Sequence, residues 1–209
     1  MTRVVLASAS PRRLELLAAL VSAFEVMPSD AAEDLTGDAI ADAGRLALAK
    51  AQVVAAREPA ALVIGADTIV FDGEHSYGKP RDAADAGTML RALRGRAHTV
   101  VTAVAVVAPW KSVTSHSLAR VTLANLSEAS IDAYVASGRP LDKAGAYAIQ
   151  DDDVPTVNSI DGCYCSVVGL PLWRLRAMLR EAGVDSREPS AMRDRCATCP
   201  ERQSSPPGA

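Results

Sequence analysis

The residues with the clearest chemistry in this sequence are two serines and two arginines near its start. Ser8 and Ser10 precede Pro11, and Arg12 and Arg13 follow it, between a short apolar run and a leucine-rich segment. Ser10 fits the N-cap and Pro11 the first position of a helix, where backbone N–H groups point outward. Because helix N-termini attract anions and a guanidinium pairs with phosphate through two donors, this stretch predicts a polyphosphate site. The alternative is that both arginines are ordinary solvated charges.

A carboxylate inside an apolar run is the second informative feature. The run 61–70 is typical of a central strand, but Asp67 and Thr68 interrupt it. A buried acid without a partner is costly, so Asp67 needs a cation, a hydrogen-bond donor or an opening to solvent. Because open α/β sheets place their sites at strand ends, we favour a functional carboxylate over a structural one.

Two lysines and one further acid lie on other predicted elements. Lys50 lies near the buried face of a helix predicted over 38–57, where it is either a snorkelling side chain or a functional cation. Lys79 lies between Gly and Pro on a rigid loop, and Glu33 lies in an acidic stretch that by itself is typical of a solvated loop. A triphosphate needs several cations, and Mg²⁺ prefers oxygen ligands such as those of Glu33 and Asp67.

The length and composition allow a sizeable core and fit one domain or two closely joined lobes. The chain has 209 residues, of which 49% are apolar and 22% charged, and its net charge of -3 gives no reason to expect a nucleic-acid polymer as partner. No apolar run is long enough to span a membrane and no secretory signal is apparent, so we expect a cytoplasmic protein. The predicted elements are strands at 3–7, 24–28 and 61–70, a hairpin of 98–107 with 113–123, and helices from Pro11, at 38–57, at 83–94, at 127–137 and from Pro171.

Four cysteines occur in two tight pairs, Cys163 with Cys165 and Cys196 with Cys199. A lone Cys-x-x-Cys is weak evidence for zinc, so in the tail we favour an inert or adventitiously oxidised pair over a metal site. Beyond Val184 the sequence is polar and proline-rich without a core-forming period, which predicts disorder over 184–209.

Five ordered motifs make the chain similar to the Maf (septum formation inhibitor) family. They lie at 8–13, 65–68, 78–80, 142–147 with Gln150, and 168–171, and the similarity covers about residues 3 to 183. The resemblance implies one domain over 1–183: an elongated mixed, twisted sheet with flanking helices, and two lobes around a central cleft, as in inosine triphosphatase-like enzymes. The tail has no counterpart in the family pattern.

The resemblance also implies an activity. Members of the family are nucleoside triphosphate pyrophosphatases that cleave between the α- and β-phosphates, with Mg²⁺ or, alternatively, Mn²⁺ or Co²⁺. The stretch 142–147 with Gln150 resembles the branch that acts on dTTP, UTP and modified pyrimidine nucleotides in a house-cleaning role. A homodimer is implied as well.

Matched position by position, the resemblance assigns roles to nine residues. Asp67 is the general base or metal-linked carboxylate that activates water, and Glu33 helps to hold the metal. The substrate-binding residues are Ser8, Arg13, Lys50 and Lys79, which hold phosphates, and Arg12, Thr68 and Gln150, which set substrate choice.

The sequence departs from the family pattern directly after Gln150. The family usually has glycine there, whereas this chain has Asp151, followed by Asp152 and Asp153. Because glycine often marks a positive φ or a close backbone approach, base recognition or loop closure can differ here. The extra acids could also repel the triphosphate or recruit a cation.

Two other functions stay open. The same fold could act on 7-methyl-GTP or a damaged purine nucleotide, although the stretch around Gln150 argues against it. The chain could also be a nucleotide-binding regulator of cell division whose effect needs no turnover.

Overall fold

The computed structural model describes residues 2–151, 154, 156–189 and 194–203. Within these ranges seven strands form one sheet: β1 (Val4–Leu6), β2 (Glu25–Val26), β3 (Leu62–Phe71), β4 (Ser76–Tyr77), β5 (Ala97–Ala108), β6 (Lys111–Leu123) and β7 (Val157–Gly162). The helices are α1 (Pro11–Ala18), α2 (Ala39–Arg57), α3 (Ala83–Leu93), α4 (Glu128–Ala136), α5 (Tyr164–Val168), α6 (Leu172–Glu181) and α7 (Asp194–Ala197). The predicted mixed α/β class is confirmed.

The sheet is mixed, and β3 lies where its two halves meet. The strand order is β2-β1-β3-β5-β6-β7, with β4 paired to β3. β1 pairs in parallel with both β2 and β3, whereas β3–β5, β5–β6 and β6–β7 are antiparallel. The predicted central strand and the long hairpin are both confirmed, and the hairpin pairs Val106 with Val113.

Side-chain caps begin three helices where the sequence predicts. Asp38 Oδ1 accepts hydrogen bonds from the amides of Ile40 and Ala41 at the start of α2. Asp82 and Ser127 cap α3 and α4 in the same way. Each cap satisfies a backbone N–H that the first helical turn leaves without an intrahelical partner.

The core lies on both faces of the sheet, because alternate residues of β3 point to opposite sides. Leu62 and Ile64 pack with α1, α5 and α6, whereas Val63 packs with α2. A third apolar cluster joins α3 and α4 to the far end of the sheet. The central strand is therefore covered on both faces.

Three local details differ from the sequence prediction. The helical spacing of Leu14, Leu17 and Val21 predicts that all three are buried, but Leu14 is 40% exposed, and Leu16 is buried together with Leu17 and Val21. The segment before the last helix contains β7 and the short α5, which the sequence did not predict. Helix α5 ends at Gly169 (φ 128), and Pro171 is the N-cap of α6 rather than its first residue.

The described part of the C-terminal tail is folded, in contrast to the predicted disorder. Residues 194–203 form α7 and a 3-10 turn at Pro200–Gln203. Cys196 and Cys199 are 1% and 8% exposed, and the Trp173 indole donates to the Cys196 carbonyl at 3.0 Å. A few buried side chains in a polar segment produce no periodic pattern, which is why the sequence does not reveal this packing.

Within the described ranges no helix is both long and apolar enough to cross a membrane.

Candidate active site

One cleft of about 890 Å³ brings the predicted site residues together. It opens beside the carboxyl end of β1, the middle of β3 and the segment that leads into β7. The nine predicted residues all line it: Ser8, Arg12, Arg13, Glu33, Lys50, Asp67, Thr68, Lys79 and Gln150. We call Arg13, Glu33, Lys50, Asp67 and Thr68 the floor of the cleft, and Arg12, Asp142, Lys143 and Gln150 its rim.

One buried ammonium joins two carboxylates in the floor. Lys50 Nζ lies 2.6 Å from Asp67 Oδ1 and 2.6 Å from Glu33 Oε1. The Lys50 and Asp67 side chains are only 8% and 9% exposed, so this is a nearly buried ion pair rather than a snorkelling lysine. Such a pair holds both side chains in place, because separating them would leave a buried charge without a partner.

The close approach of α2 to β3 makes this ion pair possible. A side chain at Gly65 would lie 2.2 Å from the Ala47 carbonyl oxygen and 2.8 Å from the Ala51 amide nitrogen. Only glycine therefore lets the helix backbone rest on the strand at this point. Lys50 on α2 and Asp67 on β3 lie close in sequence to these contacts. The close packing of the helix on the strand therefore places the Lys50 ammonium next to the Asp67 carboxylate.

Glu33 is the more open of the two carboxylates. Its burial raises the pKa, but the hydrogen bond from Lys50 and the positive charges of Lys79 and Arg13 outweigh this and lower the pKa below its ordinary value. Lys79 Nζ lies 3.8 Å from Glu33 Oε1 and is more than half exposed. Glu33 is therefore ionised at neutral pH and links the buried lysine to the open side of the cleft.

Arg13 ties three elements together at the floor. Its guanidinium donates to the Gly169 carbonyl at 2.9 Å, to Thr68 Oγ1 at 3.1 Å and to Ser8 Oγ at 3.4 Å. Burial lowers its pKa, while the negative charge of Asp67 acts in the opposite direction. The guanidinium is thus fixed before any ligand arrives.

A chain of two hydrogen bonds holds the Thr68 hydroxyl in position. Thr68 Oγ1 lies 3.0 Å from Thr102 Oγ1 on β5, and Thr102 donates to the Ser166 carbonyl at 2.7 Å. Thr102 is fully buried. The position of Thr68, and through it Arg13, is therefore set by β5 and α5 together.

Ser10 plays a different part from the one that its position predicts. It occupies the N-cap of α1, but its side chain makes no capping hydrogen bond. Its amide instead donates to Ser8 Oγ at 3.2 Å. The turn before α1 is thus held by Ser8, the serine that also accepts from Arg13.

Arg12 points to the rim, although it adjoins Arg13. Its guanidinium contacts Asp142 Oδ2 at 2.7 Å and the Asp142 carbonyl at 3.1 Å. Burial raises the pKa of Asp142, but hydrogen bonds from Lys143 and Arg12 lower it overall. Lys143 also donates to the Arg139 carbonyl at 2.6 Å. The motif 142–147 indicated this segment, but sequence analysis assigned no separate role to Asp142 or Lys143.

Asp151 lies next to Gln150 but is directed away from the cleft. Its carboxylate accepts a hydrogen bond from the hydroxyl of Tyr134 on α4, and it does not line the cleft. Burial, together with this hydrogen bond, raises the pKa of Tyr134. Among the described residues other than glycine, only Ala146 has a positive φ, so Asp151 keeps an ordinary backbone. Asp152 and Asp153 lie outside the described residues.

The donor set of the floor suits a divalent cation that arrives with phosphates. No group of three or more Asp, Glu, His or Cys is arranged to hold a metal in the part of the chain that the structure describes. Glu33 and Asp67 are nevertheless two carboxylates in one cleft, and Mg²⁺ is commonly held by one or two carboxylates together with substrate phosphates.

Comparison with known proteins gives a consistent result. The model of the family described as Maf-like protein matches residues 3–182. Relatives named dTTP/UTP pyrophosphatase include proteins of Gloeobacter violaceus (48% identical; 86% of this chain, 95% of the relative), Moorella thermoacetica (47%; 88% and 97%) and Aquifex aeolicus (44%; 86% and 95%). The chain therefore belongs to the Maf family.

Proposed function

We propose that this chain is a nucleoside triphosphate pyrophosphatase that hydrolyses dTTP, UTP and modified pyrimidine nucleotides to the monophosphate and pyrophosphate. The observation that carries the proposal is the buried Asp67, held by Lys50 at the floor of a cleft rich in cations. The names of the relatives support the same reaction. The cellular role would be removal of unwanted nucleotides.

The charge of the cleft supports a polyphosphate ligand. Six cationic side chains line it, Arg12, Arg13, Lys50, Lys79, Arg81 and Lys143, against the four acids Glu33, Asp67, Asp85 and Asp142. The excess is two positive charges (6 − 4), in a chain whose net charge is -3. The positive potential is therefore local, which favours a small anion over a nucleic-acid polymer.

Each step of the reaction has a residue suited to it. Asp67 would accept the proton of the attacking water, and Lys50 would keep that carboxylate oriented. Arg13, Ser8 and Lys79 would bind phosphate oxygens, with Arg13 already fixed by its three hydrogen bonds. Glu33 and Asp67 would hold a divalent cation, Mg²⁺ or alternatively Mn²⁺ or Co²⁺, which supplies charge neutralisation on the phosphates.

Base selection would come from the rim. Gln150 offers one amide donor and one acceptor, which suits the edge of a pyrimidine. Arg12 would contact the substrate once its pairing with Asp142 opens. Thr68 already bonds Arg13 and Thr102, so it would act on substrate choice through the position of Arg13.

The decisive experiment is pyrophosphate release from dTTP, UTP, CTP, 7-methyl-GTP and ITP, with Mg²⁺ and with chelator. We expect metal-dependent release from dTTP and UTP, and a loss of at least about 100-fold in Asp67→Asn, because a general base contributes about that much or more. Near-normal turnover in Asp67→Asn would refute the role of this residue. Preferred release from 7-methyl-GTP or ITP would instead favour the second nucleotide class.

A regulator that only binds nucleotides would give a different result. It would bind dTTP in equilibrium dialysis but release no pyrophosphate under any metal condition. Homodimerisation and a cytoplasmic location stay predictions, and sedimentation analysis of the purified chain tests the first.

A further inference from the structure

Four cysteines outside the cleft meet where α5 adjoins the C-terminal segment. Cys163 and Cys165 flank the start of α5, and Cys196 and Cys199 lie on or just after α7. All four are buried. Cys165 Sγ lies 3.1 Å from Cys196 Sγ, and the thiols of Cys163 and Cys199 hydrogen-bond each other. The contacts therefore cross between the two segments, so folding rather than sequence adjacency creates them.

The contact geometry favours disulfide formation over a metal centre. Sulfurs bound tetrahedrally to one zinc ion at about 2.3 Å lie about 3.8 Å apart. The Cys165–Cys196 separation of 3.1 Å is about 0.7 Å shorter than that distance, so the two thiols lie closer together than one zinc ion would place them. The described residues also include no group of three or more ligating side chains arranged to hold a metal.

We propose that these cysteines are a disulfide-forming site, with bonds between Cys165 and Cys196 and between Cys163 and Cys199 that fasten the C-terminal segment to α5. The oxidant is a low-molecular-weight disulfide such as oxidised glutathione. For each bond, one cysteine thiolate attacks the oxidant and releases one reduced thiol. The partner cysteine then attacks the mixed disulfide and releases a second thiol, so one oxidant molecule is reduced for each bond formed.

Cys199 is the cysteine that we expect to react first with the oxidant. It is 8% exposed, whereas the other three cysteines are about 1% exposed. Its hydrogen bond with Cys163 lowers its pKa, which raises the fraction of reactive thiolate. The first bond would therefore form between Cys199 and Cys163, next to the more deeply buried pair.

The fastened segment lies against elements that also hold the cleft. Arg174 Nε on α6 contacts Glu201 Oε1 at 2.8 Å, and the Arg195 guanidinium lies 4.4 Å from the centre of the Tyr164 ring. Helix α5 ends at Gly169, whose carbonyl accepts from Arg13. Oxidation would thus lower the conformational entropy of the unfolded chain while leaving these native contacts in place.

The test uses the full chain, treated either with dithiothreitol or with oxidised glutathione, then alkylated and digested with trypsin without reduction. We expect the peptides 144–174 and 196–202 to be linked after oxidation, with a loss of two hydrogen atoms for each bond. We also expect the oxidised chain to melt at least about 5 °C above the reduced chain.

Two matched double variants separate the bonds. Cys163→Ser with Cys199→Ser should keep only the Cys165–Cys196 link, and Cys165→Ser with Cys196→Ser only the other, each with a smaller shift in melting temperature. Unlinked wild-type peptides after oxidation would overturn the proposal, and so would bonds within one segment. Zinc or iron bound stoichiometrically by the reduced wild-type chain, measured by elemental analysis, would also overturn it in favour of a metal centre.

Discussion

Arg12 and Arg13 are neighbours in sequence, yet they belong to two parts of the cleft that are built differently. Arg13 belongs to the floor, where its guanidinium is buried and makes three hydrogen bonds within the protein. Arg12 belongs to the rim, where its partner Asp142 is more than half exposed. These two neighbours in the first turn of α1 thus differ: Arg13 is fixed by the protein, whereas Arg12 is a cation that a ligand can recruit.

The difference follows from the elements that carry each part. The floor residues Asp67 and Thr68 lie on β3, and Lys50 and Arg13 lie on helices packed against the sheet. The rim residues Asp142, Lys143 and Gln150 instead lie on irregular and 3-10 segments that precede β7. Separating a buried ion pair costs about 3–5 kcal/mol, but an exposed pair contributes about 1 kcal/mol or less. Substitutions in the floor should therefore affect stability and turnover together, and those in the rim mainly substrate choice.

The largest effect is expected for Lys50→Met. It leaves Glu33 and Asp67 without their shared cation, so turnover should fall at least about 100-fold and the free energy of unfolding by about 3 kcal/mol. Pyrophosphate release and urea denaturation measure the two changes. Lys79→Met is the matched control, because Lys79 is exposed, and should change the free energy of unfolding by less than about 0.5 kcal/mol.

A double variant sharpens this prediction. Adding Asp67→Asn to Lys50→Met removes the buried charge that has lost its partner, so the double variant should be more stable than Lys50→Met alone. A double variant that is less stable by the sum of both single effects would show that the two side chains act independently.

The next largest contrast is between the two arginines. Arg13→Lys cannot reach three acceptors at once, so we expect kcat/KM to fall about 10- to 100-fold and the melting temperature to drop. Arg12→Lys should raise KM by less than about tenfold and leave the melting temperature unchanged, since its bridge to Asp142 is exposed. Equal losses in both variants would erase the distinction between floor and rim.

A pH-dependent contact anchors the segment near the rim to the sheet. His98 Nε2 on β5 lies 2.7 Å from the Tyr147 hydroxyl, and burial lowers the pKa of His98 from 6.5 to about 4. Below pH 6.5 the unfolded chain binds a proton that the folded chain does not accept until about pH 4. This group should therefore reduce the free energy of unfolding by about 3 kcal/mol between pH 7 and pH 4.

The matched variant for this prediction is His98→Gln, which cannot titrate. Urea denaturation at pH 7, 5.5 and 4 should show a shallower loss of stability in the variant than in the wild type. Parallel slopes would mean that the folded chain binds the His98 proton as readily as the unfolded chain does.

The smallest effect is expected next to Gln150. Asp151→Gly restores the residue usual in the family and removes the acceptor for Tyr134, so stability should fall by about 1 kcal/mol and kcat/KM for dTTP should change less than about threefold. Tyr134→Phe should lower the stability by a similar amount. Because both substitutions remove the same hydrogen bond, the double variant should be no less stable than either single variant. A tenfold gain in turnover for Asp151→Gly would show that the aspartate limits the enzyme.

Much of the fold could be predicted from the sequence, because those features depend on local patterns. The apolar run around Asp67 predicts β3, and the residue patterns predict helices at 38–57, 83–94 and 127–137, which the structure contains as α2, α3 and α4. β7 and α5 were missed, since six and five residues are too few to show a period. The burial of Cys196 was missed because it depends on Trp173, which lies far away in the chain.

Local sequence patterns are enough to place a carboxylate inside an apolar strand, arginines at a helix start and a lysine on a long helix. The packed chain adds what those patterns do not contain: Lys50 lies between Asp67 and Glu33, Arg13 is fixed while Arg12 turns to the rim, and four cysteines meet in pairs. The two kinds of information differ in the sequence distance over which they act. Propensity, capping and periodicity act over a few residues, whereas ion pairs and thiol contacts join segments that become neighbours only when the sheet and its helices pack.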